Sequence, residues 1–249
     1  MSNSTIKDEA KIEYEVSPTT PTPIGSNLTI VTVTIRGTRP LWQHQFGPDA
    51  LPLTPREKTG VAGNDPDEWR RTCMIDRNGR PYLHSTYLFA VVRGGGRYIK
   101  KGRSNIMTSI AATLQIMEDP IFIHNRFWPG YETINKRDFN PKTAVAPPQD
   151  PTQPLYLDVR GVRNPSTKAR NIRYRIALAP GWETTFTIQF DRSIVSRTQM
   201  HSAIIQAGEL VGIGNGRTIG MGRFEVITFT QLTTANSDLP QTADPANGR

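Results

Sequence analysis

The sequence contains a single cysteine, Cys73. One thiol closes no internal disulfide and builds no thiolate metal cage. Histidines are few and scattered, at 44, 84, 124 and 201, without an H-E-x-x-H pair. Neither a zinc enzyme nor any other metal or cofactor is therefore expected. No run of about 18 apolar residues occurs, which argues against a membrane span. The opening residues MSNSTIKDEAKIEYEV are polar and acidic with no apolar h-region. They predict a chain without a secretory signal, working in the cytoplasm. There is no G-x-S-x-G nucleophile elbow and no G-K-[ST] phosphate-loop ending. Acidic residues are also in deficit, 22 against 30 Lys and Arg, giving a net charge of +8.

What is present is enough to bury a core. The 249 residues are 36% hydrophobic and 21% charged, with 20 Gly and 20 Pro. This suits a loop-rich globular protein with much strand. The charge is unevenly spread. Residues 1–20 carry a net −2 and residues 231–249 a net −1, so residues 21–230 hold +11. Composition predicts mobile tails over 1–24 and 231–249 around one domain, 25–230, with a loop-rich insertion near 120–154.

Two basic clusters stand out in that domain. Arg93, Arg97, Lys100, Lys101 and Arg103 lie in RGGGRYIKKGR. Arg160, Arg163, Lys168, Arg170, Arg173 and Arg175 crowd DVRGVRNPSTKARNIRYRI, with Asp158 to balance them. Phosphate backbones are a common partner for such surfaces, because each neutralised phosphate releases a counterion. Tyr98, set among cations, is a candidate platform for an unstacked base. Phe127, Trp128 and Tyr131 in NRFWPGY fit either a stacking surface or a small satellite core.

Residue patterns predict the following elements. NLTIVTVTIR (27–36) reads as a strand with Val31, Val33 and Ile35 on one face. RTCMID reads as a strand entering an Asn78-Gly79 turn. Residues 85–93 read as a helix stopped by Gly94-Gly95-Gly96, and 105–117 as a second helix. LYLDVRGV is a strand. RNIRYRIAL and WETTFTIQFD then read as a hairpin turning at Pro180-Gly181. In its first strand Ile172, Tyr174 and Ile176 oppose Arg173 and Arg175, which predicts one apolar face and one basic face. Ser196 with Gln199 forms a capping box for a helix whose stripe is Met200, Ala203, Ile204, Ala207 and Val211. A glycine loop and the strand RFEVITF follow. With a β-α pair from upstream, the order is β-α-β-β-α-β, the ferredoxin-like order of an α+β protein with a long inserted middle.

The loop reads Gly212-Ile213-Gly214-Asn215-Gly216-Arg217-Thr218-Ile219-Gly220-Met221-Gly222. It runs from helix into strand, the reverse of a dinucleotide fingerprint, and lacks that motif's third glycine. A glycine-rich backbone either cradles phosphates on its N–H groups or simply packs tightly. Gly-hydrophobic-Gly, five residues, then Gly-hydrophobic-Gly resembles the C-terminal signature of the RAMP superfamily of CRISPR-associated RNA-binding proteins. The resemblance covers 155–229, about a third of the chain, and extends to phage and mobile-element proteins with a similar hairpin, helix and GIG…GRFEV arrangement. It implies a RAMP- or RRM-like core. It also implies single-stranded RNA near Gly212, Gly214, Gly216, Arg217, Gly220 and Gly222. The partners it implies are further copies of the chain or other ribonucleoprotein subunits.

Three readings follow. The first is a non-catalytic subunit that coats a guide RNA. The second is a metal-independent endoribonuclease, for which His44 is the candidate base with Lys58 and Tyr82 downstream. The third is a phage or mobile-element protein that binds single-stranded DNA or another protein. A metal-dependent nuclease would need clustered carboxylates. The acids of GNDPDEW (Asp65, Asp67, Glu68) read instead as a solvated loop.

Overall fold

A computed structural model describes residues 27–46, 65–130, 139–163, 168 and 170–232. The predicted tail 1–24, residues 233–249 of the other predicted tail, Lys58 and Tyr131 lie outside the described residues, whereas Gln231 belongs to the last strand and pairs with Val31. The described part is α+β with antiparallel sheets. Among the described residues, no helix is long and apolar enough to cross a membrane.

The elements in chain order begin with β1 (Leu28–Gly37), β2 (Leu41–Trp42), α1 (Glu68–Thr72), β3 (Tyr82–Leu83) and α2 (Ser85–Gly95). A short hairpin follows, β4 (Lys100–Lys101) and β5 (Ser104–Asn105), then α3 (Met107–Thr113), β6 (Gln115–Ile116) and β7 (Ile121–His124). The last part comprises β8 (Leu155–Arg163), β9 (Arg170–Leu178), β10 (Glu183–Asp191), α4 (Arg197–Gln206) and β11 (Phe224–Gln231). The larger sheet runs β11-β1-β10-β7-β3, with β6 also on β10, and the second sheet runs β2-β9-β8.

β1 alternates as its sequence predicts. Val31, Val33 and Ile35 are fully buried, and on the opposite face the Thr34 hydroxyl meets that of Thr185 at 3.0 Å. Phe186, Ile188 and Phe190 extend the same buried face along β10, and Leu88, Val91 and Val92 of α2 join it in one core with Met200, Ala203 and Ile204 of α4. Helices therefore cover one face of a sheet in which β11, β1, β10 and β7 are consistent with a β-α-β-β-α-β order. The predicted capping box is present: Gln199 N–H donates to Ser196 Oγ at 3.2 Å, and Ser196 N–H donates to Gln199 Oε1 at 2.9 Å.

The hairpin expected over 170–191 does not form. β9 and β10 are consecutive, but they do not pair. β9 lies between β8 and β2, while β10 lies between β1 and the β7/β6 strands, so both edges of each are already filled. Pro180-Gly181 carries the chain from one sheet to the other. Gly181 N–H donates to Gly37 O at 2.7 Å, and Arg126 Nη2 donates to Ala179 O and Pro180 O at 3.3 and 2.9 Å, tying down the corner.

Other expectations also change. The glycines at 94–96 do not stop α2, which runs on through Gly95. A Cβ at Gly95 would lie 2.0 Å from the Ala203 carbonyl, so this glycine permits α2 and α4 to touch. The helix over 105–117 is shorter, because Gln115 and Ile116 pair with Gln189 and Ile188 of β10. Residues 73–76 form a single bridge, Ile75 to Pro81, rather than a strand. The Pro-rich 122–154 segment contains most of β7. Trp128 is buried against Trp69 at 5.4 Å and Phe139 at 5.1 Å, which makes it core.

Candidate nucleic-acid interface

α2 begins where Asp119 reaches across from the β6–β7 connection. Its Oδ1 accepts from the Ser85 N–H at 3.2 Å, and Ser85 Oγ lies 3.2 Å from Oδ2. At its other end the helix passes into a 3-10 turn, Gly96–Tyr98, and the exposed β4–β5 hairpin. α4 ends in a π turn, Ala207–Val211, closed by Gly212 N–H on Ala207 O at 2.8 Å. These two helix ends lie side by side, with the glycine loop running on from the second.

Between them is a concavity of about 530 Å³ lined by Ala90, Arg93, Gly94, Arg97, Tyr98, Met107, Leu210, Val211, Arg217, Thr218 and Arg223. Four arginines surround it and no carboxylate lines it. A smaller concavity of about 220 Å³ shares Ala90 and Arg217 and adds Tyr87, Ile213 and Gly214. A third, about 770 Å³, shares Arg223 and adds Arg39, His201 and Gly220, but it is balanced by Glu209 and Glu225. The three form one path around the glycine loop. Among the described residues Arg93, Arg97, Arg217, Arg223 and Arg39 make no ion pair, and Tyr98 is 47% exposed.

Positions about 120 residues apart in sequence thus meet here: Arg93, Arg97 and Tyr98 from the first basic cluster, and Arg217 from the glycine loop. Lys100, Lys101 and Arg103 sit on the neighbouring β4–β5 hairpin, exposed, outside these concavities. Arg39, Met107, Leu210 and Arg223 were not predicted. Arg223 directly follows the second Gly-hydrophobic-Gly, and that adjacency was the available signal.

The glycine loop itself is mostly folded inward. The N–H groups of Gly212, Ile213, Asn215, Ile219, Gly220, Met221 and Gly222 all donate to backbone carbonyls. A Cβ at Gly222 would lie 1.8 Å from Ile213 O, and one at Gly216 would lie 2.6 Å from the Trp42 ring. Gly212 likewise sits against the Met221 carbonyl. Gly220 opens onto free space, and Gly214 lines the 220 Å³ concavity. Most of this loop is a packing device that sets Arg217 at the rim.

The second cluster lies elsewhere. Arg163 and Arg170 face each other across β8 and β9, and Lys168, between them in sequence, has φ 58°. The basic face predicted for β9 does not form. Arg173 is ion-paired with Glu68, and Arg175 is 4% exposed, packed with Asp158 and over the Trp42 ring at 4.9 Å. Burial also pulls the Arg175 guanidinium below its ordinary range.

Glu68 is likewise not a solvated acid. Burial alone would raise its carboxyl, but hydrogen bonds from His44, the Tyr174 N–H and Arg173 outweigh this and hold it at about 2. His44 Nε2 is 3.3 Å from Glu68 Oε1. The candidate base is thus engaged with a structural carboxylate and lines none of the three concavities. Tyr82 packs edge-on against His84. His124 Nε2 accepts from the Thr185 N–H at 3.2 Å, and His201 stacks on Phe229 at 4.6 Å. Asp65 pairs with Arg71 and Asp67 with Arg70. Among the described residues, no cluster of three or more His, Cys, Asp or Glu could hold a metal. Burial raises the Cys73 thiol to about 12, which leaves it unreactive.

No family model and no curated protein matches the sequence. Among solved structures, the chain is similar to one from a cryo-EM structure of the Type III-B Cmr-beta bound to cognate target RNA. The two share 15% identity with a TM-score of 0.45, over 83% of this chain and 61% of that one.

Proposed function

We propose that this protein binds single-stranded RNA as a non-catalytic subunit of a ribonucleoprotein, with a ferredoxin-like core of the RAMP kind coating a guide RNA. One observation carries the binding reading: Arg93, Arg97, Arg217 and Arg223 converge on a concavity that no described carboxylate lines, beside the exposed ring of Tyr98. Four like charges held together cost repulsion unless a polyanion relieves it. A ring among cations suits a strand whose bases are free to stack. The Gly-hydrophobic-Gly pair on either side of residues 215–219, placed between α4 and the last strand, supports the RAMP assignment. The strand order β11-β1-β10-β7 supports it as well. The absence of His44 from the lining of all three concavities favours a binder over a nuclease. Its partners would be RNA together with further copies or other subunits, in the cytoplasm.

The test is to purify the chain and digest any co-purified nucleic acid separately with RNase and DNase. RNase-sensitive material is expected. DNase-sensitive material would move the reading to single-stranded DNA. A protein that carries none and binds no strand between 50 and 200 mM salt would overturn it. A charge-reversed Arg93, Arg97 and Arg217 triple should lose binding.

A further inference from the structure

The 530 Å³ concavity has a second character besides its charge. Its floor is Ala90, Met107, Leu210 and Val211, and Leu210 is 43% exposed. The π turn accounts for this. Its wider hydrogen bond, Gly212 N–H to Ala207 O, departs from α-helical spacing and leaves Leu210 and Val211 lining the groove. Core burial does not explain an exposed leucine and an exposed tyrosine placed side by side between four arginines. Arg223 supplies an independent observation. Its Nη1 is buried with no hydrogen-bond partner among the described residues, and the residue lines both this concavity and the neighbouring 770 Å³ one. A buried guanidinium N–H without an acceptor is costly, and an anion placed there removes the cost.

From these features we infer that the concavity is a nucleotide subsite. It takes one unpaired base against Tyr98, Leu210 and Val211, and its flanking phosphates sit on Arg223 and on the Arg93, Arg97 and Arg217 rim. The volume lies within the roughly 300–1,000 Å³ of ordinary ligand clefts. The inference rests on the RNA-binding reading and sharpens it. A duplex keeps its bases stacked inside and presents none to the apolar floor, so this site selects strands by their unstacked bases and not by charge alone.

The test uses the full chain and fluorescence anisotropy with three labelled probes of equal length. These are an oligouridylate, the same phosphodiester backbone made abasic throughout, and a perfect RNA duplex. Removal of the bases is expected to weaken binding by roughly 5- to 150-fold, the range for losing one stacked base. The log–log salt slope should stay the same, because the phosphates are unchanged. Tyr98→Ala and Leu210→Ser, both at well-exposed positions, should erase the difference between the first two probes. Arg223→Gln should weaken both alike. Thermal melting of each variant checks that it folds.

Equal affinity for oligouridylate and the abasic strand would overturn the base subsite while leaving the RNA-binding reading standing. A duplex bound as tightly as the single strand would overturn it too. If no probe binds and an acidic, aromatic-containing peptide does, both readings fall and the groove is a protein-docking site.

Discussion

Glu68 offers the sharpest quantitative test of the fold, because one carboxylate joins three elements. It sits at the start of α1, its Oε1 meets His44 just after β2, and its Oε2 accepts the Tyr174 N–H of β9 at 3.0 Å while Arg173 pairs with it. Its carboxyl is held at about 2 instead of its ordinary 4.5. At 1.36 kcal/mol per unit, that difference corresponds to about 3 kcal/mol favouring the folded state. The sign follows from the direction. A carboxyl whose folded value is depressed stabilises fully above about 4.5, and the contribution disappears as pH falls toward 2. Glu68→Gln keeps the size and removes the charge. At pH 7 it should cost about 3 kcal/mol, lowering the melting temperature by roughly 6–12 °C for a chain of this length. Calorimetric melts of both proteins at pH 7, 5, 4 and 3 would show the gap constant down to about pH 5 and narrowing below. Comparing the two proteins cancels the other depressed carboxyls, Asp76 and Asp119 among them. A gap under about 1 kcal/mol at pH 7, or one that does not shrink between pH 5 and 3, would refute the reasoning.

Three further predictions follow from the packing and the charge. Gly95→Ala should destabilise by about 3 kcal/mol, because the new methyl meets the Ala203 carbonyl and the Ala207 backbone nitrogen, neither of which has room to move. Were Gly95 only a helix terminator, alanine would instead stabilise by up to about 1 kcal/mol, so a thermal melt decides by sign. In single-strand binding measured between 50 and 200 mM salt, Arg217→Ala should reduce the log–log slope by about 0.7, one phosphate's worth. An unchanged slope would remove Arg217 from the interface. His44→Ala should lower the melting temperature and leave metal-free incubation with RNA without cleavage, as in the parent. Cleavage present in the parent and lost in the variant would restore the nuclease reading.

Local pattern was readable from sequence, and partnership was not. Alternation identified β1, β9 and β10, residue composition marked β8 and β11 as strands, and the Ser196–Gln199 pair located the start of α4. These signals depend only on neighbours a few residues away. The same alternation in β9 and β10 shows which side chains share a face, but it does not show which strand lies alongside. The corner at Pro180-Gly181 therefore read as an ordinary hairpin turn. The two-residue strands β2, β3 and β6 are too short to leave any period. Gly94-Gly95-Gly96 carried the composition of a stop, while its actual cause is a second helix more than a hundred residues away. Half of the candidate interface, Arg93, Arg97, Tyr98 and Arg217, was visible as charge and ring. Met107, Leu210 and Arg223 join it only because α2 and α4 end together. Arg173 and Arg175 show the reverse failure, since Glu68 and Trp42, distant in sequence, engage an apparently free basic face: Arg173 pairs with Glu68 and Arg175 is buried over the indole.

The sheet change at Pro180-Gly181 has a mechanical consequence. His124 of β7 lies directly opposite Glu183 of β10, so the chain leaves the larger sheet and returns to it at one rung. The described residues between them, β8 and β9 included, form or adjoin the second sheet. Trp42 grips β9 through backbone pairing, lies under Arg160 and Arg175, and supports Asn215 and Gly216 of the glycine loop. One indole therefore touches both the ribbon that ends at Arg163 and Arg170 and the loop that carries Arg217, so its truncation would loosen the two together.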